Sequence, residues 1–412
     1  MAAPQLYLVS CIFPHILTET RIIMSSTIYL DNSATTPLCP AALTAMMQAM
    51  GHYGNPSSLH SLGQEAHTIL NRARNQVGAA LGVKVVRPSE LVFTSCGTEA
   101  SALAIYGTVY AKPRRFGNRI ITTDCEHPSV EEALKRLEAD GLEVVRISTK
   151  NGVLDTEAAI EALNTPTLLV TMMMVNNETG AHFDVAKVFA AAKAKDSRTV
   201  THCDAVQGFL KVPFTPAGIH ADLVTVSAHK IHGPKGVGAL YIHPEIIKTK
   251  RITAFLTGGG QEFGLRSGTE NVIGIAGFGA AAQAGFATRA ADFEKMSSLR
   301  TRLEEKLSAM GVQMNIPQGN RAPHILHITL PSIKSQTMLN FLSAQGICIS
   351  SGSACSSHSV KVSPSLVAFG LSAHEADCSL RVSFSAQNTE DEVDDFCEVL
   401  GKGIESLVRI RR

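Results

Sequence analysis

A lysine stands where an apolar run ends. Ala221 to Val226 reads as a buried strand, and it passes directly into Ser227-Ala228-His229-Lys230-Ile231-His232-Gly233-Pro234-Lys235-Gly236. An amine held in a partly dehydrated pocket loses part of its preference for the charged form and can condense with an aldehyde. The hydroxyl of Ser227 and the imidazole of His229 are close enough in sequence to receive an anionic group on the same ligand. A solvent-facing lysine at a strand end is the plain alternative, and the local pattern does not exclude Lys235 from the role.

Asp204, in Thr201-His202-Cys203-Asp204-Ala205-Val206-Gln207-Gly208, suits the same ligand. A carboxylate against the pyridine nitrogen of pyridoxal 5'-phosphate (PLP) keeps that nitrogen protonated, so the ring can accept electron density from a substrate carbanion. Gln207, one turn on, would donate to the ring's phenolate oxygen. Otherwise Asp204 is a helix cap after a strand. In Phe93-Thr94-Ser95-Cys96-Gly97-Thr98-Glu99 a strand passes into a helix, and the N–H groups of a helix start beside two hydroxyls attract a phosphate. The same letters also make an ordinary cap. His127, before Pro128, could stack on the ring or move protons, or serve as a structural histidine.

Two further segments bear on a substrate. Ser350-Ser351-Gly352-Ser353-Ala354-Cys355-Ser356-Ser357-His358 is rich in small residues and reads as a mobile loop with an exposed, reactive Cys355 at its centre. Arg381, in Ser379-Leu380-Arg381-Val382-Ser383, is a planar cation in a short apolar strand and needs an anionic partner, either a substrate carboxylate gripped bidentately or a protein carboxylate. Leu30-Asp31-Asn32-Ser33-Ala34-Thr35-Thr36-Pro37 is a turn-rich segment that could close over a substrate. Other cofactors find little support. Gly274 to Gly279 follows no clear strand, no GxxxxGK[ST] run exists, and no thiolate or carboxylate set completes His229 and His232 as metal ligands, so no metal is expected.

These residues need a frame. From Leu91 to Ile242, short apolar runs alternate with amphipathic helical stretches, the pattern of a mostly parallel sheet covered by helices. The spacing predicts seven strands: 91–94, 119–123, 143–147, 168–175, 199–203, 223–226 and 238–242. Helices are predicted over 129–139 and 184–195, and a long one from Asn271 to about Met310. Short strands at 325–329, 347–350 and 380–383, with helices at 336–344 and 390–408, read as a smaller α+β domain. The organisation is thus α/β: a large domain over 40–275, and a small one over 24–39 and 276–412 that carries the cysteine loop. Ligands of open α/β sheets collect outside the carboxyl ends of the strands. Ser95 to Glu99, Glu126-His127, Asn176 to Glu178, Asp204 to Gln207 and Ser227 to Lys230 follow five of these seven strands.

Composition narrows the partners. Lys and Arg number 37 against 36 Asp and Glu, so no global basic field exists to draw nucleic acid or an anionic membrane, and a small-molecule substrate is expected. Nine scattered cysteines without a CxxC pair fit reduced thiols in the cytoplasm. No apolar stretch of about 20 residues suggests a membrane span. Residues 1–23 lack the leading positive charges of a secretion signal, and Met24 resembles an alternative start, so they read as an extension outside the native chain.

On these motifs the chain resembles the cysteine desulfurases of the NifS/IscS type, within the PLP-dependent class V aminotransferase superfamily of fold type I. The resemblance runs from about Ile28 to the C-terminal helix. It rests on Tyr29 to Pro37, Gly54-Asn55-Pro56-Ser57-Ser58, Val175-Asn176-Asn177-Glu178-Thr179-Gly180, Ser227 to Gly236, Arg266-Ser267-Gly268-Thr269 and Ser350 to Ser357. It implies Lys230, not Lys235, as the lysine that binds PLP. It implies His127, Asn177, Asp204 and Gln207 around the ring. Gly97 and Thr98 with Ser227 and His229 would hold the phosphate, joined by Thr269 from the neighbouring subunit of a homodimer. Asn32, Asn177 and Arg381 would bind the carboxylate of L-cysteine, and Cys355 would take its sulfur as a persulfide for a sulfur-acceptor or iron–sulfur scaffold protein. Cys96, where the family has a small Gly or Ala, and Val382-Ser383-Phe384-Ser385 after Arg381 depart from the family pattern without removing a catalytic group. A selenocysteine lyase or another class V lyase or aminotransferase would share every cofactor residue. An inactive sulfur-carrier or scaffold-binding module would keep the fold without the cofactor.

Overall fold

The computed structural model describes residues 27–83, 87–111, 117–351 and 362–407. Seven apolar runs form one sheet: β1 (Leu91–Thr94), β2 (Arg119–Thr123), β3 (Glu143–Ile147), β4 (Thr167–Met173), β5 (Val200–Asp204), β6 (Leu223–Ser227) and β7 (Gly238–Ile242). They lie in the order β1-β7-β6-β5-β4-β2-β3. Only β7 runs against its neighbours, antiparallel to both β1 and β6. A strand covered on both faces reads as an unbroken apolar run rather than an alternating one, and every residue of β4 is buried.

Helices α1 (Ser61–Ala80), α2 (Gly97–Ala111), α3 (Pro128–Ala139) and α4 (Val185–Lys195) accompany the sheet. In α3 the buried residues Val130, Ala133, Leu134 and Leu137 recur at helical spacing and form one stripe. His127 caps this helix, its side chain accepting the Ser129 N–H. Helix α5 (Val272–Ala309) starts where the Asn271 side chain accepts the Gly274 N–H, and it joins two cores. Its first half puts Ile275, Phe278 and Ala281 into the core of the sheet. Its second half puts Met296, Leu299, Leu303 and Leu307 into another core with Leu30, β8 (Ile325–Thr329), α6 (Ser335–Ala344), β9 (Ser379–Ser383) and α7 (Glu390–Ser406). There β8 and β9 pair antiparallel, with Gln313–Met314 on the far side of β8.

The chain before the sheet ties the two cores together. Ile28–Tyr29 pairs in parallel with Ile347–Cys348, and Asp31 bridges to Ser383. A few residues later the Thr36 N–H donates to the carbonyl of His229, just beyond β6. Residues 28–36 therefore form a strap from the second core across the end of β6.

The expected strands 91–94, 119–123, 143–147, 238–242 and 325–329 form over the same residues, and the others shift at an end by one or two. β4 stops at Met173 because Val175 bridges to His182, which turns the chain out of the sheet. Helix Pro40–Ala49 and α1 have no counterpart among the expected elements. Much of the buried face of α1 is Ala66, Ala73 and Ala80, whose short side chains give a weak periodic signal. Among the described residues no helix is long and apolar enough to cross a membrane.

Phe278 is fully buried and meets Phe93 edge-on with ring centroids 6.3 Å apart, so it couples α5 to β1. Phe278→Ala is expected to cost about 3–5 kcal/mol of stability, read by urea denaturation. An unchanged denaturation midpoint would contradict this account of the core.

Candidate active site

The carboxyl ends of β2, β4, β5 and β6 and the turn after β1 face one cavity of about 190 Å³. Lys230 leaves β6 through the single turn Ala228–Lys230, and its Nζ donates to the carbonyls of Ser33 (2.5 Å) and Ala34 (2.7 Å) in the strap. Lys235 is exposed and does not line the cavity. Asp204, buried at the end of β5, shares the cavity with Lys230, and its Oδ1 accepts the Val206 N–H at 3.0 Å. Burial pushes the Asp204 carboxyl up to about 6, against the opposing pull of that hydrogen bond and of the Lys230 charge. A carboxyl so placed gains most from a protonated ring nitrogen, which returns the charge partner that burial removes.

Two imidazoles border the same space. The His127 Nδ1 lies 2.8 Å from Ser129 Oγ and accepts the Ser129 N–H, while burial and then the Lys230 charge hold its pKa down to about 4. His229 is held down to about 4 by burial and by Lys230, Lys235 and Lys211, with its Nδ1 3.2 Å from Thr35 Oγ1. At neutral pH both are uncharged, so His127 offers a flat neutral ring to a stacked ligand.

The turn after β1 has the shape of an anion cradle. Gly97 opens α2, and a Cβ there would come within 3.1 Å of Val206 Cγ2 and 3.4 Å of Ser227 Cβ, closing the space. Gly238 on β7 lets the turn lie against the sheet, since a Cβ would stand 2.5 Å from the Cys96 carbonyl carbon. The buried Ser227 Oγ has no hydrogen-bond partner among the described residues, and exposed Thr98 lines the cavity beside it. A buried hydroxyl without a partner beside a helix N-terminus is the donor set that a phosphate requires. With Lys230 and Asp204 across the cavity, these residues fit PLP.

Other expected residues are committed to protein contacts. Arg381 on β9 is 1% exposed and pairs with Asp31 (Nη2 to Oδ1, 2.8 Å), while its Nη1 donates to the Asn177 carbonyl at 2.9 Å. A substrate carboxylate would therefore compete with Asp31. Asn177 lines the cavity, but Asn32 does not; the Asn32 amide donates to the carbonyls of Tyr29 and Ser383 and to Asn388 Oδ1. Gln207 reaches the cavity yet donates to the Ser33 carbonyl at 2.9 Å, so both amides hold the strap. Thr269 is exposed and borders a different hollow with Met50, Tyr53 and Asn55.

Cys355 lies outside the described residues. The chain on either side of its segment is anchored near the cavity. Ser350 exchanges two backbone hydrogen bonds with Arg381, and the Ser363 hydroxyl donates to Glu178 Oε1 at 2.8 Å. The strap carbonyls of Ser33 and Ala34 are the functional groups that the sequence does not declare. Backbone oxygens carry no residue signature, and only the turn-rich composition of 30–37 hints at them.

The model of the family "Aminotransferase class-V" matches residues 28–396. A cysteine desulfurase of Trichormus azollae is 39% identical over 386 residues, which cover 93% of this chain and 94% of the relative. A solved NifS-like protein superposes with a TM-score of 0.85 at 35% identity, over 92% of this chain and 100% of that one. A structure of SspA in complex with cysteine gives a TM-score of 0.74 at 29% identity, over 88% of this chain and 99% of the other. With the lysine, the buried aspartate and the anion cradle at one sheet rim, these likenesses mean that the chain belongs to the class V aminotransferases, a family of PLP-dependent enzymes.

Proposed function

We propose that the protein is a PLP-dependent cysteine desulfurase that converts L-cysteine to L-alanine and transfers the sulfur to Cys355, for delivery to iron–sulfur cluster, thio-cofactor or tRNA assembly. The observation that carries the reading is the Lys230 amine sharing a cavity with the buried Asp204 carboxyl, beside the anchored ends of the Cys355 segment. When bound, PLP supplies an electron sink for a carbanion at the substrate α-carbon.

The chain's own residues do the rest. Lys230 would hold the cofactor and, as a free amine, would take the α-proton of the substrate and return it before alanine leaves. Asp204 would pair with the ring nitrogen, His127 would cover the ring face, and Asn177 would stand by the phenolate oxygen. Gly97, Thr98, Ser227 and His229 would hold the phosphate. Arg381 turns from Asp31 to the substrate carboxylate. Asn32 and Gln207 keep the strap over Lys230, a role separate from the substrate-carboxylate and ring contacts expected of them. The Cys355 thiolate attacks the substrate sulfur, a sulfur–sulfur bond forms as the carbon–sulfur bond breaks, and the released carbon gains a proton to become the methyl of alanine.

A second copy completes the site. Leu43, Met47 and Met50 recur on one exposed face of Pro40–Ala49 and its cap, followed by Tyr53 at 81% and Leu59 at 90% exposure. This apolar face adjoins the hollow of Thr269, which supports a homodimer that brings Thr269 to the partner's phosphate. The two cores support a large and a small domain, but the first half of α5 packs in the core of the sheet through Phe278 and Ala281, so the large domain extends past the expected limit at residue 275 into that helix. The unpaired cysteines among the described residues support a reducing, cytoplasmic setting.

With PLP added, the purified protein is expected to absorb at about 400 nm and to form alanine from L-cysteine. Cys355→Ser should keep the band and lose desulfuration. Continued sulfur release would favour a selenocysteine lyase or other class V lyase, and a protein that takes up no PLP would favour the inactive carrier. Met47→Asp should convert the dimer to monomer in sedimentation velocity, and an unchanged dimer would move the interface elsewhere.

The raised Asp204 carboxyl gives a signed pH effect in PLP-free protein. Its folded pKa of about 6 exceeds the ordinary 3.8, so the folded state binds the extra proton and loses stability as pH rises from about 4 through 6. Asp204→Asn is therefore expected to raise the melting temperature at pH 7.5 and to leave it unchanged near pH 4. An equal gain at both values would contradict the burial effect.

A further inference from the structure

The loop that carries Thr269 is bound to its own chain by two ion pairs. Arg74, on α1, donates through both terminal nitrogens to Glu262 at 2.8 and 2.7 Å, and the two residues are 3% and 4% exposed. The guanidinium lies 4.8 Å from the ring centre of Phe93 and 5.1 Å from that of Phe263. Glu262 Oε2 also accepts the Phe93 N–H at 2.8 Å, and Arg74 donates to the Leu91 carbonyl. β1 is the edge of the sheet, so the pair stands in for a further strand. Edge capping alone would make the pair merely structural.

The backbone around Glu262 argues for more. Glu262 and Phe263 hold φ of 46° and 60°, a left-handed conformation that such residues adopt at a cost and keep only when surrounding contacts impose it. The turn that follows is braced at Arg266, Ser267 and Gly268. Gln261 Oε1 accepts the Gly268 N–H at 2.9 Å, and the Ser267 N–H donates to the Leu256 carbonyl at 3.1 Å. Arg266 pairs with Glu99 at 2.7 Å, and Glu99 also accepts the Ser95 N–H at 2.8 Å beside the anion cradle. The braced turn ends at Thr269, which is exposed and does not line its own chain's cavity.

We infer that Glu262, seated by Arg74, is a positioning residue that acts in trans: it fixes where Thr269 meets the phosphate of PLP in a second copy's site. The inference rests on the dimeric, PLP-binding reading proposed above. Glu262→Gln keeps the size of the side chain and an acceptor for Phe93, but it breaks the charge-assisted pair. If folding suffers, Arg266→Gln offers the same test, since it loosens the more accessible pair of the same turn.

Heterodimers with one PLP-accepting lysine separate the two copies. In one arrangement Glu262→Gln and Lys230→Ala share a chain and the partner is wild type. In the other, one chain carries Lys230→Ala and its partner carries Glu262→Gln. PLP affinity is read by titration at about 400 nm, with a Lys230→Ala/wild-type heterodimer as reference. The shared-chain arrangement is expected to bind PLP about 10-fold more weakly, from loss of a hydrogen bond to a charged group, and the split arrangement to match the reference. Equal weakening in both arrangements, or none in either, would overturn the inference while leaving the proposed function standing. A wild-type protein that is monomeric or takes no PLP would overturn the underlying reading, and the inference with it.

Discussion

Burying a carboxyl without a full counter-charge is the constraint around which the site is arranged. Asp204 sits at the end of a completely buried strand and is pushed towards its protonated form by the loss of water. The Lys230 charge only partly offsets this. A pyridinium in the cavity would supply the missing positive charge, and its proton would in turn be stabilised by the carboxylate. The neighbouring imidazoles follow the same logic. Burial and Lys230 keep His127 and His229 neutral, so cationic character in the cavity is concentrated on lysine and arginine.

The strap of residues 28–36 converts this electrostatic arrangement into geometry. It is hydrogen-bonded to the second core through Ile28, Leu30 and Asn32, and its carbonyls at Ser33 and Ala34 receive the Lys230 amine. Gln207, in the turn after β5, grips the same Ser33 carbonyl, and Asp31 engages Arg381 of β9. A shift of the second core against the sheet would therefore act on Lys230 and on Arg381 together. The flanks of the Cys355 segment are anchored at the same junction, Ser350 on Arg381 and Ser363 on Glu178.

Much of this was legible in the letters. Lys230, Asp204, Gly97, His127, Asn177 and Ser227 follow strands whose apolar runs are unmistakable, and such strands bring their carboxyl ends to one rim. Asn32 and Gln207 were harder, because an amide facing a ligand and an amide facing a backbone carbonyl look alike in sequence. Thr269 was suggested by its motif and the resemblance alone, because within one chain it borders a separate hollow and no local chemistry marks it. The Arg74–Glu262 pair could not be read at all, since 188 residues separate two ordinary charges that only the folded edge strand brings together. Helix α1 escaped because alanine buries well but marks a period poorly.

The most direct measurement is to reduce the PLP-loaded protein with borohydride and map the modified lysine by peptide mass spectrometry. This account requires the phosphopyridoxyl group on Lys230. A label on Lys211, Lys235 or any other lysine, with Lys230 unmodified, would contradict it.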